Sequence, residues 1–431
     1  MGEIDAAAKQ LEDWKTKNED KIGYASNSAG IGIVDPKTSL TIGEKGLIPL
    51  RDWQMIEHIS HFHRERIPER IVHAKGAGAF GYFECTKELT QYTSSKVFET
   101  VGKETQIAVR FSTVAGNMGS ADTVRDPRGF ALKFYTEEGI WDLVGNNTPI
   151  FFMRDPILFP MFIHSQKRNP VTNMRDWDAF WDYLSLTPMS VHQVMILFSD
   201  RGIPKGHRHQ HGYGANTFSF INKDRKLTWC KFIYKTDQGI ENFEDPAEAE
   251  RVAGADPDYA IRDLYNAIAD ADGYLKKYPS WTFYVQLMTP EQAKQQKFDP
   301  FDITKNNFQR DGLMCIYNQG GAPNYYPNSF GGPGADPFAS KWTPPTMYFE
   351  GYENYYPQYY EEDNYSQPKV FWEKVLDEGA KSRLVNNLAG SIKLANKDIQ
   401  NRTVDVFSCV SEDLGNRLKH LLFGETKIVH L

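Results

Sequence analysis

Apolar residues first recur at helical spacing. Residues 5–18 (DAAAKQLEDWKTKN) predict a short helix, and a Gly-, Ser- and Asn-rich arm follows to about residue 48. From Arg51 to Arg66 the apolar positions Trp53, Ile56, Ile59 and Phe62 lie three apart until Pro68 ends the pattern. The period then drops to two. Ile107, Val109 and Phe111 alternate with polar residues, and Phe130–Tyr135, Ile140–Val144 and Ile150–Met153 follow between Gly, Asp and Pro. Pro160–Phe198 reads as helical, with Trp177, Phe180, Trp181 and Leu184 on one face. Strand signals return at Thr217–Ile221, Thr228–Tyr234 and Trp281–Met288, with helical stretches at Pro246–Val252 and Tyr259–Ala269. A Gly-, Pro- and Tyr-rich run, Gly331–Gln367, reads as a wrapping loop, and Val370–Phe423 is again helical. Many short strands with turn signals favour a closed antiparallel barrel over βαβ units. Four regions are expected: an arm and helix (1–65), a β-barrel domain (66–300), a wrapping segment (301–367) and a small helical domain (368–431).

Composition narrows the function classes. A chain of 431 residues can bury a sizeable core, and a formal net charge of −7 without blocks of like charge makes nucleic acid an unfavoured partner. No apolar run is long enough to span a bilayer, so no membrane partner is expected. Cys85, Cys230, Cys315 and Cys409 are scattered and form no CxxC pair, which fits a reducing compartment rather than a disulfide framework. MGEIDAAAKQ lacks the apolar segment of a secretory signal. Aromatics make up 13% of residues, enough for an apolar cofactor pocket and equally for any large core.

The most suggestive stretch is FHRERIPERIVHAKGAGAFGYFE, Phe62–Glu84. Here His73, the side-chain type that titrates near neutral pH, precedes the small-residue run Gly76–Gly81, along which other groups approach the backbone closely. The plainer reading is a turn between a helix and a strand beside an ordinary buried histidine. Two other histidine groups carry little. Of His58, His61 and His63 only the first pair has helical i, i+3 spacing, and no carboxylate or cysteine completes a set. His207, His209 and His211 form an HxHxH run that would share one strand face and offer a remote metal-binding reading.

The Phe62–Glu84 stretch closely resembles the distal active-site segment of small-subunit, animal-type haem catalases. The resemblance continues through Ala108–Pro170 (AVRFSTVAGNMGSADTVRDPRGFALKFYTEEGIWDLVGNNTPIFFMRDPILFPMFIHSQKRNP), Phe198–His209, Pro279–Thr289 and Gln309–Phe330. It implies an α+β fold: an eight-stranded antiparallel barrel with helical insertions and a small C-terminal helical domain. It also implies an enzyme that decomposes hydrogen peroxide to water and oxygen at haem b, as a homotetramer in the peroxisome or cytoplasm. The Ile428-Val429-His430-Leu431 end departs from the S-K-L peroxisomal address.

By the same resemblance, His73 is the distal acid–base group, Ser112 fixes its tautomer, and Asn146 is a neutral donor that holds peroxide. Arg70, Val72, Arg110, Phe151 and Phe159 match haem-pocket positions. His192, Ser199, Arg201, Tyr213 and Lys235 match a surface NADPH site found in a subset of the family, with His211 standing where Asn is common. One departure is large. Phe298–Lys305 runs almost directly into Asn307–Met314, where the family carries a block of several dozen residues. That block contains the R-x-F-x-Y-x-D motif whose tyrosine ligates the iron. No segment of the chain matches it, so the proximal Tyr ligand is absent. A non-catalytic partner of full-length subunits is the alternative reading.

Overall fold

The computed structural model describes residues 5–289 except 22, 215 and 274–277, scattered positions between 323 and 352, and residues 363–424. The Lys305–Asn306 junction, Cys315, most of the expected wrapping loop and the final tetrapeptide lie outside the described residues. Two units are distinguished: Met1–Ile71 with Tyr265–Tyr278, and Val72–Leu264 with Pro279–Leu431.

In the first unit, α1 spans Ala6–Lys17 and α2 spans Trp53–Arg64. Asp5 and Asp52 cap them by accepting the amide protons of Ala7 and Met55, which satisfies donors that a helix start leaves unpaired. The apolar positions of α2, Trp53, Ile56, Ile59 and Phe62, are exposed, as are His58, His61 and His63.

The second unit is built on an antiparallel sheet. Its strands are β1 Gly76–Glu84, β2 Glu104–Ser112, β3 Gly129–Thr136, β4 Gly139–Asn146, β5 Gly212–Tyr213, β6 Phe218–Ile221, β7 Leu227–Thr236 and β8 Trp281–Met288. The ladder runs β1-β2-β3-β4-β5-β7-β6, and β8 pairs with the other edge of β7. The sheet curls until Phe83 of β1 meets Phe283 of β8, ring centroids 5.6 Å apart. Alternation then separates the two faces. Phe111, Phe130, Phe134, Leu143 and Phe232 turn inward and are buried. The small-residue run 76–81 lies within β1, not in a turn before a strand. It does permit close approach: a Cβ added at Gly76 would stand 2.3 Å from the Phe111 carbonyl oxygen.

Two expectations are corrected. Ile150–Met153 forms no strand, because Pro149 and Pro156 flank it and its side chains serve a different core. Pro160–Phe198 is broken into α3 Phe159–Gln166, α4 Trp177–Ser185 and α5 Val191–Phe198, with Asp176 capping α4 through the amides of Asp178 and Ala179. Further helices are α6 Pro246–Ala255 and α7 Tyr259–Gly273. The C-terminal set is α8 Ser366–Val370, a π turn over Phe371–Val375, α9 Glu378–Ile392, α10 Lys397–Val410 and α11 Glu412–Phe423.

The helices α3–α5 and α8–α11 share one apolar core, which includes Trp181, Met195, Leu384, Leu388, Val404 and Leu414 together with Phe152 and Met153. Polar ties fix the packing. Arg383 of α9 makes two bonds of 2.8 and 2.7 Å to Asp200, and the Trp181 indole donates to Ser391 Oγ at 3.0 Å. Leu388 is fully buried in this core. Leu388→Ala is therefore expected to cost about 2–5 kcal/mol. Denaturant unfolding followed by far-UV circular dichroism checks this, and a loss below about 1 kcal/mol would mean that the two helix groups do not share a core.

Candidate active site

The site is set by strand register. Ser112 at the end of β2 pairs with Gly129 at the start of β3, Gly129 pairs with Asn146 at the end of β4, and Asn146 pairs with Tyr213 of β5. Residues directly opposed in an antiparallel ladder project to the same face. Ser112 and Asn146 thus stand on the outer face, on either side of a residue with no side chain. The adjacent row, Arg110, Ala131 and Val144, shares this face, and Val144 is 70% exposed.

His73 enters immediately before β1. Its Nδ1 lies 2.9 Å from Ser112 Oγ. Its amide donates to the Val114 carbonyl at 3.0 Å, and its own carbonyl accepts from Arg110 Nη2 at 2.8 Å. These contacts hold His73 at φ +61°, a left-handed conformation that is uncommon for a residue with a side chain. The strain is compensated locally, since both backbone groups of His73 are bonded. In the tautomer whose Nδ1 proton is directed to Ser112, the ring presents Nε2 as its basic nitrogen.

Gly129 is the residue that motif reading overlooked. A Cβ there would lie 2.4 Å from Ser112 Oγ and 2.7 Å from His73 Nδ1, closer than real contacts allow. The signal was present in the D-P-R-G-F run, but its meaning depends on which residues face position 129.

The connection from β2 to β3 is pinned by a buried pair. Arg128 is fully buried and donates to the carbonyls of Asp122 and Val124 at 2.9 and 2.8 Å and to that of Asp126. The Asp126 carboxylate accepts the amides of Val114 and Ala115, while burial pushes its pKa up. Asn147 Oδ1 accepts the Arg128 amide at 2.8 Å, joining the start of β3 to the end of β4. A cavity of about 410 Å³ opens beside this loop, lined by Val114, Arg125, Asp126, Phe152 and Phe162 among others.

Of the remaining expected pocket residues, Val72, Phe151 and Phe159 all pack against the helical core. The Phe151 and Phe159 rings stack with centroids 6.3 Å apart. Arg110 grips the backbone of His73 and Ala74. Arg70 is exposed and belongs to the first unit.

The second expected group assembles in part. Arg201 Nη2 lies 3.4 Å from Tyr213 Oη, and Ser199 Oγ accepts the Arg201 amide at 3.3 Å. His211, whose pKa is lowered by burial and then by Arg201 and Lys235, stands near the same residues. Lys235 Nζ sits 5.0 Å above the Tyr284 ring. His192 is half-buried and packs against Phe371, centroids 5.9 Å apart, and burial lowers its pKa.

The HxHxH run does not share a strand face. Residues 207–209 form a 3-10 turn. His207 stacks on Phe111 inside the barrel, His209 Nδ1 lies 3.2 Å from the Gly239 carbonyl, and His211 Nδ1 accepts the Thr236 amide. Among the described residues no three His, Cys, Asp or Glu side chains are grouped to hold a metal, so the metal-binding reading is set aside.

Comparison with known proteins places the chain in a family. The family model described as Catalase matches residues 26–307, and one described as Catalase-related immune-responsive matches 359–422. The chain is 46% identical to the catalase of Drosophila melanogaster over 97% of this chain and 98% of that protein. It is 44% identical to the catalase of Cavia porcellus, over 97% and 93% respectively. A fungal catalase crystal structure superposes with a TM-score of 0.81 at 34% identity, covering 93% of this chain and 97% of that one. Catalase A from Saccharomyces cerevisiae gives the same score and identity over 93% and 99%. The chain belongs to the catalase family, and its curled antiparallel barrel with a helical C-terminal region is the fold of those structures.

The Gly129 geometry makes a sharp expectation. Gly129→Ala should break the His73–Ser112 bond while leaving the fold intact. Nitrogen-15 correlation spectra of the imidazole would then lose the single Nδ1-protonated tautomer, and an unchanged spectrum would contradict the crowding.

Proposed function

We propose that the chain decomposes hydrogen peroxide to water and oxygen at haem b, with His73 as the acid–base group. The observation that carries this reading is the His73–Ser112 pair, in register with Asn146 on one sheet face, in a chain of the catalase family. A flat cofactor suits that face. Gly129 and Ala131 add little or no side chain to it, and the Gly129 position has no room for even a methyl group because Ser112 and His73 lie against it. Haem, when bound, supplies the redox centre. The protein supplies the proton chemistry. His73 Nε2 takes a proton from one peroxide oxygen and returns it to the other, Ser112 holds the ring in the required tautomer, and the Asn146 amide orients the peroxide. Val72, Phe151 and Phe159 would border the cofactor with apolar surface and exclude water, and Arg70 and Arg110 are the candidates for its carboxylates.

NADPH is a candidate second ligand at His192, Ser199, Arg201, Tyr213 and Lys235, supported by the proximity of Arg201, Tyr213, His211 and Lys235. Among the described residues no helix is long and apolar enough to cross a membrane. Homotetramer assembly and a peroxisomal or cytoplasmic location rest on family membership.

His73→Ala should reduce peroxide disproportionation by the haem-loaded protein to background, whereas Asn146→Ala should retain a fraction reduced about 100- to 1000-fold. Oxygen release under peroxide measures both. Equal rates for His73→Ala and the parent would remove His73 from this role.

One sequence feature favours a second reading, a catalase-like partner with impaired haem binding. The alignment with the Drosophila catalase runs over 506 positions, whereas this chain has 431 residues, so that relative carries residues without a counterpart here. The chain also lacks R-x-F-x-Y, the motif whose tyrosine would hold the iron by family resemblance. Haem titration of the chain, beside one with the block restored at Lys305–Asn306, separates the readings. Weak binding and low turnover are expected for the shorter chain, and tight stoichiometric binding with matching turnover would favour the fully active enzyme.

A further inference from the structure

Among the described residues the inward face of the sheet is rich in buried apolar side chains. Phe111, Phe130 and Trp281 pack together there, with Phe111 and Phe130 4.9 Å apart and Trp281 5.3 Å from Phe111. Three polar side chains are distributed around these rings. His207 stacks on Phe111 at 5.4 Å, Tyr234 stacks on Phe130 at 5.1 Å, and the backbone carbonyl of Gln210 accepts the Trp281 indole proton at 3.0 Å. All three are buried, at 1, 4 and 3% exposure for His207, Tyr234 and Gln210. His207 Nε2, Tyr234 Oη and both side-chain amide atoms of Gln210 have no hydrogen-bond partner in the protein.

Such groups are costly to bury unpaired. Phe and Met would fill the Tyr234 and Gln210 positions at nearly the same volume without that cost. Hydroxyl, amide and imidazole groups at these positions call for a third party that donates and accepts. A charged ligand does not suit them. Burial, reinforced by Arg128, Lys75 and Arg110, pushes the His207 pKa down to about 3 and keeps the ring neutral. Arg128, itself buried, already spends its donors on carbonyl groups. A small neutral molecule that both donates and accepts suits atoms of these kinds.

We infer that His207, Gln210 and Tyr234 form an internal hydration site in the barrel, occupied by one or more long-lived water molecules. These waters bond the polar atoms and are part of the packed interior, separate from the outer face that carries His73.

Water-oxygen magnetic relaxation dispersion on the full chain detects internal waters with long residence times. Tyr234→Phe and Gln210→Met remove the polar atoms at nearly constant volume, so both variants should fold. The parent should show a dispersive component that shrinks in both variants, and each variant should melt below the parent because bonded groups have been lost. A dry interior gives the opposite result, with no change in dispersion and variants that melt at or above the parent, and that result would overturn the inference.

Discussion

Antiparallel register is the constraint on which the outer face depends. A shift of one residue between β2 and β3 would turn Ser112 inward and place Phe111 outside, reversing both faces together. Register is held by the inward rings, whose burial favours a single alignment, and by the Arg128–Asn147 bond that fixes where β3 begins relative to the end of β4. The same alignment that closes the apolar interior therefore brings Ser112, Gly129 and Asn146 into one row.

Within that frame His73 is held rather than merely located. Its left-handed backbone is stabilised by Val114 at the amide and Arg110 at the carbonyl, and its ring by Ser112. Two of these partners come from β2, and Val114 begins the loop that Asp126 and Arg128 pin from within. A buried carboxylate and guanidinium contribute little net stability by themselves, yet removing either would leave an uncompensated group in the interior. Their effect here is positional, because they fix a loop that would otherwise be free to move the imidazole.

The helical core bears on the site through contact. Val72 adjoins His73 in sequence and packs against the core shared by α3–α5 and α8–α11, as do Phe151 and Phe159. The apolar side of the site thus belongs to the helices and its polar side to the sheet.

The sequence by itself determined the local elements and the family. The change of apolar period from helical to alternating and the long motifs around His73 are properties of neighbouring residues, and they locate most strands and the helical C-terminal region. They also name His73, Ser112 and Asn146, but not that these stand on one face. Gly129 became meaningful only once β3 lay between Ser112 and Asn146. Ile150–Met153 resembled a strand until the prolines and a second apolar core drew it off the sheet, and HxHxH scattered because its three residues form a turn and its exit rather than a strand. In each case the deciding quantity was register or burial against residues distant in the chain. Tertiary packing sets those quantities, because apolar area and backbone hydrogen bonds are satisfied over the whole fold and not within a local window.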